Sequence, residues 1–417
     1  MPKSLPRRSN QGDKMKYDKN WDVIVVGAGP GGSKCAQEFA KKGKKTLVID
    51  RKQEIGTPKR CAEGLSARWF KIADQKPSPR WALQEIHGAI LIAPSGKKVD
   101  IDTRKTQQTG YIIERKMWEK ELAAEAIRAG AKYMLKALVY DLIKEDDYVT
   151  GVKVQQGQDK FELKAKLVIA ADGVDSLVAR HAGISTNMPT HECDSGYQYE
   201  MAGVKLLDKN KLELHFGKSV APRGYVWVFP KGDDTANVGI GIRGDLEETA
   251  KEYLDKWIEN NPERFKNASI IEINSGVVPV CAPIKQKVTN GLMVIGDAAR
   301  MVNPIHGGGI GSALEAGMMA AEIGSKAIDE DNVSAERLKE YEVVWQETRG
   351  KQFEKILKVR KFFEQLNDDQ LEMIADAVEP EALLELGHGK GLKNILKAML
   401  KMGPSAAKLA TNFLKNT

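Results

Sequence analysis

The segment Trp21–Val26 is almost wholly apolar and runs without a break into Gly27-Ala28-Gly29-Pro30-Gly31-Gly32. A run this apolar has no face to give to water, so it predicts a strand buried on both sides, as in a parallel sheet. A helical pattern follows over Cys35–Lys42, then a second short apolar strand, Lys45–Ile49, which closes on Asp50. Together these make a βαβ unit with G-x-G-x-x-G at its first turn and an acid 23 residues after Gly27. The glycine pattern alone is weak. Placed between a buried strand and a helix, with the acid in register, it predicts a dinucleotide site rather than a plain tight turn. Glycines let the backbone turn tightly and approach a pyrophosphate, and the helix start offers free N–H groups and a positive dipole end. Asp50 is expected to accept a ribose hydroxyl hydrogen bond. Its charge disfavours a 2′-phosphate, so FAD or NAD fits better than NADP.

Further along, Ile86–Ile92 and Lys98–Ile101 read as a hairpin around Pro94-Ser95-Gly96, and Lys116–Ala129 as a helix. Val139–Leu142 and Val152–Gln155 read as paired strands, and Leu167–Ala171 as a buried strand ending at Asp172-Gly173. Residues 195–242 carry alternating, aromatic strand patterns and predict a second sheet. Gly291–Ile295 is another short strand, and the pattern from about residue 330 is helical.

Charge and cysteine usage narrow the function classes. The net charge is +7, but the excess lies at the two ends. Lys3, Arg7, Arg8, Lys14, Lys16 and Lys19 face only Asp13 and Asp18, and after Glu385 there are Lys390, Lys393, Lys397, Lys401, Lys408 and Lys415 with no acid. The body therefore does not read as a nucleic-acid groove, and no nucleic-acid partner is expected. Cys35, Cys61, Cys193 and Cys281 form no C-x-x-C pair, which argues against an iron–sulfur or zinc centre, and no metal is expected. No apolar run is long enough to span a membrane and nothing reads as a signal peptide, so a cytoplasmic setting is expected.

Asp297 is the second anchor. It lies in Gly296-Asp297-Ala298-Ala299, which is followed by Pro304 and by Gly307-Gly308-Gly309-Ile310 opening a helix. A turn of this kind suits a flavin: the aspartate can bind a ribityl hydroxyl, and the helix start at Gly309-Ile310 can sit beneath the pyrimidine edge.

With Gly27–Gly32 and the segment Ala171–Ser176, this turn resembles the FAD-binding fold of aromatic hydroxylases and their reductase relatives, over roughly residues 20–330. Two more motifs resemble those of the geranylgeranyl reductases. Pro58-Lys59-Arg60-Cys61-Ala62-Glu63-Gly64 is similar to the family's P-x-x-C-[AG]-[EG], and Tyr225-Val226-Trp227-Val228-Phe229-Pro230 matches its Y-x-W-x-F-P in full. On residues alone, Tyr225, Trp227 and Phe229 share one strand face, and composition favours ordinary sheet core over a cavity wall. Cys61 alone is either a small buried hydrophobe or a reactive thiol beside Lys59 and Arg60.

The resemblance implies an α/β fold: an FAD-binding, Rossmann-type, aromatic-hydroxylase-like domain (21–80, 105–190 and 270–330) and an antiparallel β-sheet substrate domain (81–104 and 191–269); the residue patterns add a helical C-terminal region (331–417) and a polar tail, 1–20, expected to be disordered. It implies an FAD-dependent reductase that saturates geranylgeranyl double bonds of archaeal ether phospholipids, with NADPH or a ferredoxin as electron donor. Flavin monooxygenase and flavoprotein electron carrier are the alternatives. FAD would meet Gly27, Gly29, Gly31, Gly32, Asp50, Cys61, Ala62, Gly64, Arg115, Val139, Asp297, Gly309 and Ile310, and the reaction would use Cys61, Tyr225 and Trp227. His306 reads as a structural or solvated histidine. Finally, Leu392, Ile395, Leu396, Met399 and Leu400 fall on one helical face opposite Lys390, Lys393, Lys397 and Lys401. That pattern fits a docked helix first, and peripheral membrane contact second.

Overall fold

The computed structural model describes residues 18–104 and 109–380, with 382–383, 396–397, 399–400, 403–404, 407–408 and 410–411 beyond them. Its first sheet grows from the apolar strand Asn20–Val26, where Val23, Ile24 and Val25 are fully buried. That strand pairs in parallel with Thr46–Ile49 on one side and Asp159–Ala170 on the other. Lys132–Met134 and Leu292–Val294 extend the parallel set outward. The long strand Asp159–Ala170 also carries an antiparallel pair, Tyr148–Gln156 with Ala137–Glu145.

Two helices cross this sheet, Pro30–Lys41 and Ile310–Asp329, and they press against each other. Their closeness follows from small residues. A Cβ on Gly317 would come within 2.5 Å of the Gly31 carbonyl oxygen, and one on Gly324 would meet the side chains of Leu167 and Phe39. The backbones can therefore approach as far as they do only because neither position carries a side chain.

The second sheet has seven strands in the order Ser269–Val278, Asp194–Ala202, Ala236–Arg243, Tyr225–Pro230, Lys211–His215, Gly88–Ile92, Lys98–Asp102. Only Lys211–His215 with Gly88–Ile92 is parallel. One face of this sheet packs Tyr199, Val226, Val228, Val238 and Ile240 against Leu254 and Trp257 of the helix Ala250–Glu259. The other face looks toward the first domain. Between the two lies a three-stranded sheet of Gly64–Ser66, Gly110–Ile113 and Ala82–Ile86.

Three expected boundaries move. The strand Ser269–Val278 pairs along its length with Asp194–Ala202, so the second sheet runs to Val278 and not to residue 269. The pattern expected as one strand over Ile86–Ile92 breaks at His87, with Ala82–Ile86 joining the three-stranded sheet and Gly88–Ile92 the seven-stranded one. Alternation of side chains continues across the break, which hid it. The helix expected from Lys116 begins at Arg115 and ends at Arg128.

From Ala335 to Ala377 the described chain is mostly helical, and Leu338, Tyr341, Trp345, Phe353 and Ile356 enter the core of the first domain. Most of the amphipathic segment expected near the end, including Leu392, Ile395, Lys390, Lys393 and Lys401, lies outside the described residues. Leu396 and Met399 are buried with Val359 and Phe362. Gly317→Ala should test the helix contact. The gain in helix propensity, about 1 kcal/mol, is outweighed by overpacking of about 1–3 kcal/mol, so thermal unfolding should shift to lower temperature.

Candidate active site

One cavity of about 1900 Å³ runs from the glycine turn of the first sheet to the open face of the second. Pockets for a single small ligand measure roughly 300–1,000 Å³, so this one has room for a large cofactor and a long second molecule.

At its nucleotide end, Gly27 has φ 110°, and a Cβ there would collide with the Ala171 carbonyl. Gly32 is similarly tight against Gly27. Gly29 differs: nothing lies within 4 Å of where its Cβ would be, and it caps the helix Pro30–Lys41 with no side-chain partner. The turn thus leaves bare backbone facing open space at a positive helix end. Asp50 braces it, accepting from Ala28 N (2.8 Å) and Lys52 N (2.8 Å). Val139 is buried on the same side, and Ala137, Leu138 and Val139 line this end of the cavity. Asp172, on the opposite wall, accepts from Val178 N through Oδ2, while its buried Oδ1 has no hydrogen-bond partner among the described residues.

At the other anchor, Gly296–Ala299 forms a 3₁₀ turn that presents Asp297 to the cavity. No described group donates a hydrogen bond to the Asp297 carboxylate. Burial pushes this carboxyl above its usual range, against the pull of the Arg115 charge. A Cβ on Gly309 would lie 3.0 Å from Asp297 Oδ1, so the glycine keeps the carboxylate's space open. Gly309 also caps the helix Ile310–Asp329 with no side-chain partner. His306 is exposed, and its Nδ1 accepts from Gly308 N at 3.0 Å, which gives it a role in shaping the loop.

The aromatic strand forms the facing wall. Val226 and Val228 are fully buried on the helix side, while Tyr225, Trp227 and Phe229 turn to the cavity with ring centroids 6.0 and 6.4 Å apart. Both polar tips are satisfied: Tyr225 Oη donates to the His306 carbonyl (2.8 Å) and Trp227 Nε1 to Gln198 Oε1 (2.8 Å). Burial pushes the Tyr225 phenol well up, so it stays neutral. The Trp227 indole lies across Gly239, where any Cβ would collide with the ring. In the next row Tyr225, Gly241, Gly196 and Gly276 stand in register, giving a floor of bare backbone beside the phenol.

Cys61 is half-buried on the cavity, its Sγ accepting from Glu63 N (3.1 Å) and lying beside the Arg115 guanidinium. Arg115 itself reaches Glu119 Oε1 (2.5 Å) and the Arg60 carbonyl (3.3 Å). Ala62 and Gly64 line the cavity on either side of Glu63, Gly64 against the Phe229 ring.

Behind the loop lies a buried charge network. Glu63 Oε2 accepts from Lys59 (3.0 Å), Lys231 (2.9 Å) and Asn237 (2.8 Å), and its Oε1 from Arg115 N (2.8 Å). Lys231 also reaches Glu114 (3.0 Å) and Glu200 (2.9 Å), and Lys59 pairs with Glu200. Burial alone would raise the Glu63 carboxyl, but Lys231, Lys59 and the two hydrogen bonds hold it below its usual range. Burial likewise opposes the charge on Lys231, yet the carboxylates hold it protonated to unusually high pH.

The sequence-derived site residues therefore share one cavity. Gly27, Gly29, Gly31, Gly32, Asp50 and Val139 sit at one end, Arg115, Asp297, Gly309 and Ile310 at the middle, and Cys61, Ala62, Gly64, Tyr225 and Trp227 at the other wall. Sequence reasoning did not find Gln198, Lys231, Asn237, the glycine floor, or the wall that Phe363, Leu366, Leu371 and Ile374 add from the C-terminal helices. A signal was present for the floor: Gly239-Ile240-Gly241 repeats at period two in a strand, where glycine otherwise weakens the sheet.

The bare turn at Gly29 and the unpartnered Asp297 carboxylate fit FAD, whose phosphates and ribityl hydroxyls need N–H donors and an acceptor respectively. Asp297→Ala should weaken FAD binding at least about tenfold, the loss of a hydrogen bond to a charged group, and leave the unfolding midpoint of the flavin-free protein nearly unchanged. Equilibrium dialysis with FAD and thermal melts check both. Lys231→Met should cost about 3–5 kcal/mol by stranding buried carboxylates. Glu63's lowered value makes its pairing fully stabilising above about pH 4.3, the unfolded value, and this is lost as pH falls through the folded value. Urea titrations should therefore show the gap between the two proteins closing in acid.

Comparison with known proteins gives consistent results. Residues 192–278 match the model described as the geranylgeranyl reductase catalytic domain, and 22–90 with 104–221 match an FAD binding domain. A digeranylgeranylglycerophospholipid reductase of Methanocaldococcus jannaschii is 45% identical over 94% of this chain and 98% of its own length. A protein of that description from Methanosphaera stadtmanae is 41% identical over 92% and 97%. A solved structure from Thermoplasma acidophilum, described as geranylgeranyl bacteriochlorophyll reductase-like, superimposes with a TM-score of 0.86 at 35% identity, covering 95% of this chain and 99% of that one. A flavin-dependent brominase, at 19% identity and a TM-score of 0.71, shares the fold.

Proposed function

The chain belongs to the geranylgeranyl reductase family of FAD-binding flavoproteins, and from that premise we propose that it saturates the geranylgeranyl double bonds of an archaeal ether phospholipid. The observation that carries this reading is the convergence of the FAD anchors and the aromatic strand on one elongated cavity.

The chemistry demands such a place. An isolated trisubstituted alkene has no carbonyl to take charge, so its reduction needs a proton at the less substituted carbon and a hydride at the tertiary one. FAD, which the bare turn at Gly29 and the Asp297 carboxylate would hold, would supply the hydride equivalent when bound and reduced. The chain supplies the rest. Carbon that gains hydride carries cationic character, and the faces of Tyr225 and Trp227 stabilise it by about 0.5–2 kcal/mol each where water is excluded. Tyr225 keeps its proton, committed to the His306 carbonyl, so it acts through its ring. The Cys61 thiol is the proton donor of this proposal, since His306 is exposed and turned to Gly308. Ile86, Leu91, Ile101, Leu212 and Leu214 continue the wall as an apolar channel for the prenyl chain.

Among the described residues no second strand-linked G-x-G-x-x-G turn serves a nicotinamide, and in this proposal electrons come from NADPH visiting transiently or from a ferredoxin. The lipid comes from the cytoplasmic membrane face, which the protein meets peripherally. Among the described residues no helix is long and apolar enough to cross a membrane.

Dithionite-reduced protein should be reoxidised by a geranylgeranyl phospholipid under strict exclusion of oxygen, followed at the flavin absorbance, with saturated product by mass spectrometry. A flavin that only oxygen reoxidises removes the reductase reading. Trp227→Ala should lower turnover on long prenyl chains about tenfold or more, the loss of a stacked, desolvated aromatic contact, with flavin content close to that of the parent. Flavin lost in proportion to activity would return the strand to a core role.

A further inference from the structure

We propose that Gln198 is a positioning residue that sets the Trp227 indole and the Cys61 loop in one fixed geometry; the inference rests on reading the aromatic strand as the substrate wall. Gln198 is 3% exposed, on the cavity face of the strand Asp194–Ala202. Trp227 stands opposite Gly239, and Gly239 opposite Gln198. With no side chain at Gly239, the indole crosses that strand and reaches the amide two strands away.

The orientation of the amide follows from its partners. An indole N–H can only donate and a carbonyl can only accept, so Gln198 Oε1 takes the Trp227 Nε1 hydrogen and Nε2 donates to the Cys61 carbonyl, at 2.8 and 3.2 Å. Flipping the amide would break both bonds. The next two loop residues are held from other strands, Ala62 by Asn237 Nδ2 to its carbonyl (3.1 Å) and Glu63 by Lys231. Those two grips belong to the charge network. Gln198 is the described residue that ties the loop to the indole itself, and with the Cys61 carbonyl pinned, the sulfur is held on the Glu63 N–H. Any shift of the indole is therefore felt at the thiol.

Alkylation of the holoenzyme by iodoacetamide reads this coupling directly, because Cys35, Cys193 and Cys281 are buried and Cys61 is the accessible thiol. Gln198→Leu should keep FAD, lower the melting midpoint by a few degrees because two buried polar groups lose their partner, speed alkylation of Cys61 about fivefold, the equivalent of one hydrogen bond, and lower kcat on prenyl lipid more than it changes KM. Trp227→Phe removes the donor but keeps a ring, and should also speed alkylation. The double variant should alkylate no faster than Gln198→Leu alone, since one relay is broken once. Gln198→Glu keeps the acceptor but lacks the donor until its carboxyl is protonated. Its excess alkylation rate over the parent should shrink as the pH falls, because burial raises a carboxyl's pKa and so favours the protonated, donating form. Glu200, Glu272, Lys59 and Tyr225 face the same region, so the rate is read as a ratio to the parent at each pH.

Parent-like alkylation in Gln198→Leu with FAD bound overturns the proposal, as do additive effects in the double variant. If Gln198→Leu fails to fold, an unchanged rate in Trp227→Phe overturns it instead. These arms use no lipid, so they decide the coupling even if prenyl reduction itself is not found.

Discussion

The carboxylate of Glu63 is fully buried, and three side-chain donors and a backbone N–H meet on it from four different parts of the chain. A buried carboxylate without partners would be prohibitively costly, so its burial requires that Lys59, Lys231, Asn237 and the start of the helix at Arg115 all arrive together. That requirement joins the cysteine-bearing loop, the helix after the three-stranded sheet, and the strands of the second sheet into one rigid assembly. The cavity is the space this assembly leaves in front of the glycine turns.

Division of labour between the two faces of a strand does the remaining work. In Tyr225–Pro230 the valines complete a core against a helix, and the aromatics on the alternate positions line the cavity. The same strand then reaches both flanking loops, through Tyr225 to the loop of His306 and through Trp227 and Gln198 to the loop of Cys61. Glycine makes this possible, because the indole can cross its neighbour only where Gly239 has no Cβ. A wall built this way is stiff, and stiffness is what the alkene reduction proposed above requires of it, since that step needs one carbon held in place.

Much of the architecture was legible early. The apolar strand, the glycine turn and Asp50 marked a buried parallel βαβ unit because burial on both faces and a tight turn leave distinct traces in composition. Asp297 with its glycine loop could be read likewise, and the aromatic strand announced its period of two. What could not be read was which side of that strand was wet, since Tyr225, Trp227 and Phe229 suit a core as well as a cavity. Lys231, Gln198 and Asn237 left no trace, as each is an ordinary polar residue until its partner, remote in sequence, is known. The boundary at residue 269 failed for a related reason: strand pairing with Asp194–Ala202 is a long-range fact that local pattern does not encode.

By itself, then, the sequence determined the local conformations that steric and solvation rules impose: buried strands, glycine turns, helix starts and the alternation of side chains. Tertiary structure alone decided which of those faces meet, that Glu63 and Lys231 share a buried site, and that the C-terminal helices close the cavity's apolar end. The physical reason is range. Backbone sterics and periodicity act within a few residues, whereas pairing of buried charges and the shape of a cavity depend on groups that chain folding brings together from far apart.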